Sequence, residues 1–145
     1  MIRVEREHHF ATTVEAGFAF ITDMANWPRY WPGFVALEPG SRWSDPGDSA
    51  CIVIRLLGRN IELDMTLRRF EENRLVEYDS SQKGMPVVHH ERHFLPAEGG
   101  FMYQIVVAYE PRTGLRGLYD RVLLSRGIER ALRTTITNLD AALPA

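Results

Sequence analysis

The chain has 145 residues, 45% hydrophobic and 25% charged, with a formal net charge of −2. That is an ordinary composition for one globular domain, here 1–145, able to bury about two thirds of its unfolded surface. The charge balance argues against a dedicated nucleic-acid binder, and no apolar run approaches the ~20 residues that span a bilayer.

Sixteen of the seventeen basic residues are Arg, the exception being Lys83. The single Cys51 rules out an intrachain disulfide and fits a reducing compartment. The charged, alternating start MIRVEREHHF is unlike a signal peptide, so a cytoplasmic protein is expected.

Residues 2–10 alternate as a half-buried strand, with Arg6 and His8 in the row that also carries Ile2, Val4 and Phe10. Thr12-Thr13 caps a short helix carrying Phe18, Phe20 and Ile21. The segment DMANWPRYWPGF follows, broken by Pro28 and Pro32 and made bulky by Trp27, Tyr30, Trp31 and Phe34. From residue 35 the texture is β. A strand is expected over Val35–Trp43 and another over Ala50–Leu57, which Gly58-Arg59 turns into the next.

In that next strand Ile61, Leu63, Met65 and Leu67 face inward, and continued parity puts Arg69 on the same face. Leu75–Ser80 follows with Val76, Tyr78 and Ser80 on one side, and then Val88, His90, Arg92 and Phe94. The last strand carries Phe101, Tyr103, Ile105, Val107 and Tyr109 on one face. Leu115–Leu143 then reads as one helix, which at about 1.5 Å per residue reaches roughly 43 Å. Its apolar face rotates at Ser125-Arg126-Gly127. This predicts a bend near Gly127, with Ile128 to Leu143 anchoring the core and Leu115 to Val122, Tyr119 included, forming a cavity wall beside Arg126.

The expected fold is α+β: a curved antiparallel sheet of about seven strands wrapped around a long C-terminal helix, with two short helices after the first strand. Such a sheet leaves a space between itself and the helix, a natural ligand cavity.

Three stretches carry a family resemblance: FATTVEAGFAFITDMANWPRYWPGF, FLPAEGGFMYQIVVAYEP and YDRVLLSRGIERALRTTITNLDAAL. They resemble the polyketide cyclase/dehydrase branch of the START-like (SRPBCC) superfamily, which has a helix-grip fold. The likeness covers nearly the whole chain and identifies fold better than activity. It implies that Trp27, Trp31 and Phe34 line a cavity mouth, and that Arg69 matches an inward Arg of the aromatase/cyclases. Phe34 stands where those enzymes have a Tyr, Ser80 where they have a second Arg, and Arg92 where an aromatic is expected.

The inward polar set is therefore Arg6, His8, Arg69, Tyr78, His90, Arg92 and Tyr103. Unpaired Arg is costly in a dry core, which points to a wet or ligand-filled cavity. Strand-end Arg residues can instead reach solvent, and for Arg69 the two alternatives stand level. Expected ligand contacts are Trp27, Trp31, Phe34, Met65, Tyr78, Tyr103, Tyr119 and Arg126.

Two functions fit. One is binding of a hydrophobic small molecule that is polyketide-, lipid- or isoprenoid-like. The other is polyketide cyclisation and dehydration, with Arg69 or Arg92 holding an enolate oxygen and His90 or Tyr78 moving a proton. No metal site is expected. On a strand His89 and His93 lie about 13 Å apart, and His90 faces the other way. Neither GxSxG, P-loop nor GxGxxG occurs, so no cofactor is expected, and the chain fits a monomer or a homodimer.

Overall fold

The computed structural model describes residues 1–56 and 58–144; Leu57, the expected end of a strand, lies outside the described residues. Strand β1 (Ile2–Phe10) is followed by helix α1 (Val14–Thr22), a 3-10 turn (Met24–Asn26) and helix α2 (Trp27–Tyr30). Then come β2 (Phe34–Leu37), β3 (Ser49–Leu56), β4 (Arg59–Glu71), β5 (Leu75–Ser81), β6 (Val88–Ala97) and β7 (Gly100–Tyr109). The seven strands form one antiparallel sheet in the order β1-β7-β6-β5-β4-β3-β2, a meander closed by β1 returning beside β7.

α1 starts because the Thr13 hydroxyl accepts the Ala16 N–H at 3.2 Å. Its C-terminal carbonyls, which have no helical partner, are met by side chains. Asn26 donates to Phe20, and both the Trp27 indole and the Tyr30 hydroxyl donate to Ile21. The aromatic segment is thus the cap of α1. Gly17 lets α1 lie directly on the sheet, since a Cβ there would stand 2.3 Å from Cε1 of Phe101.

β2 is shorter than expected. It ends at Leu37, and Trp43 lies in the following loop with its side chain buried in the core.

The C-terminal helix is continuous over 29 residues but not uniform. It comprises α3 (Gly114–Tyr119), a π-helical segment (Asp120–Leu124) and α4 (Ser125–Ala142). The irregularity therefore falls before Gly127, at Asp120. Arg112 donates to the Asp120 carboxylate from its backbone N–H at 2.7 Å, from Nε at 3.0 Å and from its terminal guanidinium nitrogen at 2.8 Å. The Tyr109 hydroxyl donates to the Asp120 carbonyl. A carbonyl held by a side chain outside the helix loosens the regular ladder, and a wider turn absorbs one extra residue.

Beyond it, Leu132, Ile136, Leu139 and Leu143 are buried, and α4 packs on α2 and β1. The Asn138 amide donates to the Tyr30 carbonyl, and His8 meets Asp140.

The hydrogen bonds from Arg112 hold the Asp120 carboxyl below its ordinary range, with burial opposing them. A depressed folded pKa stabilises the fold above the ordinary carboxylate value of about 4, and that contribution is lost as pH falls through the folded value. Asp120→Asn is expected to be less stable than the parent at neutral pH and to lose less on acidification. Urea denaturation from about pH 7 to about pH 3 checks this; parallel pH profiles would count against it.

Candidate functional site

The inner face of β5, β6 and β7 carries a polar row set by strand alternation. Tyr78 pairs with His90 across β5 and β6, and Arg92 pairs with Ile105 across β6 and β7, beside Tyr103. The Tyr78 and His90 rings stack at 4.3 Å with 5° between their planes. Trp43 meets Tyr78 edge-on at 5.2 Å and Trp27 at 5.5 Å, and Trp27 lies 5.3 Å from Trp31. An aromatic wall therefore runs from α2 to the middle of the sheet.

Arg92 donates to the Tyr78 hydroxyl at 3.0 Å, and its guanidinium carbon lies 5.5 Å from the Tyr78 ring centroid. Tyr103 adjoins the same guanidinium. Among the described residues no carboxylate pairs with Arg92. Burial raises the phenols of Tyr30, Tyr78 and Tyr103, so near neutral pH they are protonated donors rather than counterions. The result is a half-buried cation facing hydroxyls, with capacity left for an anionic or carbonyl oxygen.

His90 is half-buried, yet its Nδ1 is sealed and has no hydrogen-bond partner. Its Nε2 lies 2.8 Å from the Ser80 hydroxyl. Burial pushes the imidazole well below its ordinary range, and Arg92 and His89 push it the same way. The ring is neutral at pH 7, with one nitrogen committed to Ser80 and the other sealed without a partner.

Several expected positions are corrected. The β4–β5 register shifts between Leu67 and Arg69, and this bulge puts Arg69 outside, where it pairs with Glu71 and Glu77. Arg69 does not join the polar row. Arg6 is exposed on edge strand β1, and His8 sits at its rim. Arg126 is exposed, and Tyr119 is 43% exposed with Leu115, Leu118 and Val122, so this part of the helix does not close a wall against Trp27, Trp31 and Phe34. Trp27 is a 2% exposed core residue.

Met65, Tyr78 and Tyr103 are buried on the inner face, and Trp31 and Phe34 are half-buried against it. Sequence analysis missed the part played here by Trp43, Tyr30 and Ser80. Trp43 had been placed at the end of a strand, and nothing in its local pattern points inward.

The inner face is unevenly covered. Ala50, Ile52, Met65 and Leu67 are buried, whereas Ile54, Ile61, Leu63 and Val88 toward the β3–β4 tip are only half-buried. A separate open depression of about 370 Å³, lined by Glu38, Ser41, Cys51, Asp64 and Thr66 among others, lies beneath the β2–β3 loop and away from the polar row.

A curved seven-stranded sheet gripping one long helix defines a START-like helix-grip protein. The chain belongs to the polyketide cyclase/dehydrase and lipid transport family, whose model matches residues 1–144. Its structure is similar to that of a Chromobacterium violaceum protein, with TM-score 0.80 and 11% identity over 99% of this chain and 98% of that one. A Rhodobacter sphaeroides protein gives 0.76 at 22% identity over 97% and 93%. A START superfamily protein of Mycobacterium smegmatis gives 0.77 at 12% over 97% and 95%. At these identities the likeness carries the fold alone. No curated protein matches the chain in sequence.

Burial of a neutral imidazole has a definite sign. The unfolded chain takes up a proton near pH 6.5 and the folded chain does not, so His90 lowers stability as pH falls below that value. His90→Gln is expected to flatten the stability profile between about pH 7 and about pH 5, removing a slope of up to about 1.4 kcal/mol per pH unit. Equal slopes for the two proteins would rule this out.

Proposed function

We propose that the protein binds an apolar small molecule bearing an anionic or strongly polarised oxygen, with that oxygen on Arg92 and the apolar body along Trp31, Phe34, Ile54 and Leu63. The observation that carries this reading is the half-buried Arg92 guanidinium, hydrogen-bonded to a phenol and without a carboxylate. Leaving a cation so placed costs stability unless something compensates it. The half-covered inner face supports an apolar occupant, and the family's description, which includes lipid transport, is consistent with one.

A second reading rests on His90. A neutral imidazole two residues from Arg92 on the same face has the elements of enolate chemistry. The base would take a proton from the carbon beside a carbonyl, and the cation would hold the resulting oxygen anion. That is the first half of an aldol closure of a poly-β-ketone.

Tryptophan fluorescence titration with a long-chain carboxylate and the matching alcohol separates these ideas. The parent protein is expected to prefer the carboxylate at least about tenfold, the size of one charge-assisted hydrogen bond. Arg92→Met should remove the preference while keeping or raising stability, because an apolar replacement ends the desolvation of an unpaired ion. Arg69→Gln should behave as the parent does. No preference in the parent, or an unchanged preference in Arg92→Met, would refute the binding reading. Turnover of a poly-β-ketone that Arg92→Met and His90→Gln both abolish would establish the second.

A further inference from the structure

The first third of the C-terminal helix carries five large apolar side chains that nothing covers. Leu115 is 86% exposed, Leu118 59% and Leu123 58%, with Tyr119 and Val122 beside them. Together they line an open groove of about 390 Å³ to which no other element contributes among the described residues. Helical spacing sets Leu115, Leu118, Tyr119 and Val122 on one face, and the buried Gly117 and Asp120 on the other. A Cβ at Gly117 would stand 2.1 Å from the Arg112 carbonyl oxygen, so the buried face is fastened to the loop after β7 and the apolar face looks away from it.

The charge around this face is one-sided. Arg116, Arg121 and Arg126 are exposed in the same stretch and have no ion-pair partner among the described residues. The only acidic residue between positions 111 and 128 is Asp120, which is sealed from solvent and committed to Arg112. Three cations thus adjoin five apolar side chains in a chain whose total charge is −2.

Two more segments reach the same end of the sheet. Val88 at the start of β6 pairs with Tyr109 at the end of β7, and the Arg112 guanidinium donates to the Gly84 carbonyl in the β5–β6 loop. β4 runs past the end of β5 to the β3–β4 tip, since Asp64 already pairs with Ser81. The loop exposes Lys83 and Val87, and the tip exposes Arg55, Leu56 and Arg59.

We propose that this end of the molecule docks on the surface of a membrane containing anionic lipid. Leu115, Leu118 and Leu123 enter the boundary between headgroups and acyl chains, and Arg116, Arg121 and Arg126 pair with lipid phosphates. Aliphatic side chains flanked by arginines on one helix are the pattern that lies in an anionic interface. Among the described residues no helix is long and apolar enough to cross a membrane, and the attachment proposed is peripheral. A second copy seated face to face would set these arginines against their equivalents, a like-charge cost that no exposed acid between positions 111 and 128 relieves. A protein groove needs close complementarity, whereas an interfacial layer accepts aliphatic tips spread over three segments. Docking stands whether or not the space between sheet and helix holds a ligand.

Co-sedimentation of the full chain with vesicles of phosphatidylcholine, alone or mixed with phosphatidylglycerol, tests the proposal. Binding is expected to the mixed vesicles and to be much weaker on the neutral ones. It should fall steeply as salt rises from about 50 mM to about 500 mM. Each Arg→Gln substitution at 116, 121 or 126 should weaken it about fivefold. Leu115→Asp with Leu118→Asp should abolish it while leaving carboxylate binding in the fluorescence titration unchanged. Should the double variant fail to fold, the three Arg variants alone decide the matter. Absence of vesicle binding overturns the proposal, as do unchanged binding by the Arg variants and equal affinity for neutral vesicles. A concentration-dependent dimer that Leu118→Asp dissociates, found without vesicle binding, would also overturn it and assign the face to a second copy.

Discussion

An arginine on the inner face of a sheet has to find a counterion, reach water or be met by something else. Arg92 has no carboxylate partner, and its neighbours are phenols that burial keeps protonated. Mutual support holds the group in place: Trp43 braces Tyr78, Tyr78 stacks on His90, and the Tyr78 hydroxyl orients the guanidinium. Ser80 fixes the imidazole from the other side. The polar row is ordered in advance of any ligand, and ordering reduces the entropy lost on binding.

The second constraint is the buried Asp120. Its carboxylate takes three N–H groups of Arg112 and its carbonyl takes the Tyr109 hydroxyl, so the end of β7, the loop and the helix are tied at one point. The wide turn there shifts the apolar stripe of α4 relative to that of α3. Leu132, Ile136 and Leu139 therefore face the core, while Leu115, Leu118 and Val122 face away from it. One helix thus belongs to the core along its second half and to the surface along its first.

What could be read from the sequence follows from where the backbone is regular. β5, β6 and β7 keep an unbroken period of two, and Tyr78, His90, Arg92 and Tyr103 all stand on the face their spacing predicts. β4 does not, and one bulge residue was enough to send Arg69 outward. Nothing in TLRRFEE distinguishes the Arg that absorbs the bulge. The rotation of the apolar stripe near Gly127 was visible and is the trace of the π segment. Its position was not, because it depends on Tyr109 and Arg112 meeting Asp120 across the fold. Trp43 lay hidden for a similar reason, since a loop has no period from which to infer a direction.

Burial is uneven along the sheet. Toward α1, Phe94, Phe101 and Leu67 are sealed, with Gly17 admitting the helix to contact distance. Toward the β3–β4 tip, Ile54, Ile61 and Leu63 stay half-exposed, and α4 packs instead on β1 and α2. Each large side chain left half-wet forgoes part of the ~1.5–3 kcal/mol that full burial contributes. Covering that face with a closer helix would stabilise the fold by completing its burial. An unpaired cation, an imidazole with a bare nitrogen and a partly covered apolar face each lower stability, and all three lie on one side of one sheet. Their coincidence on one face is the ground on which the proposed binding reading rests.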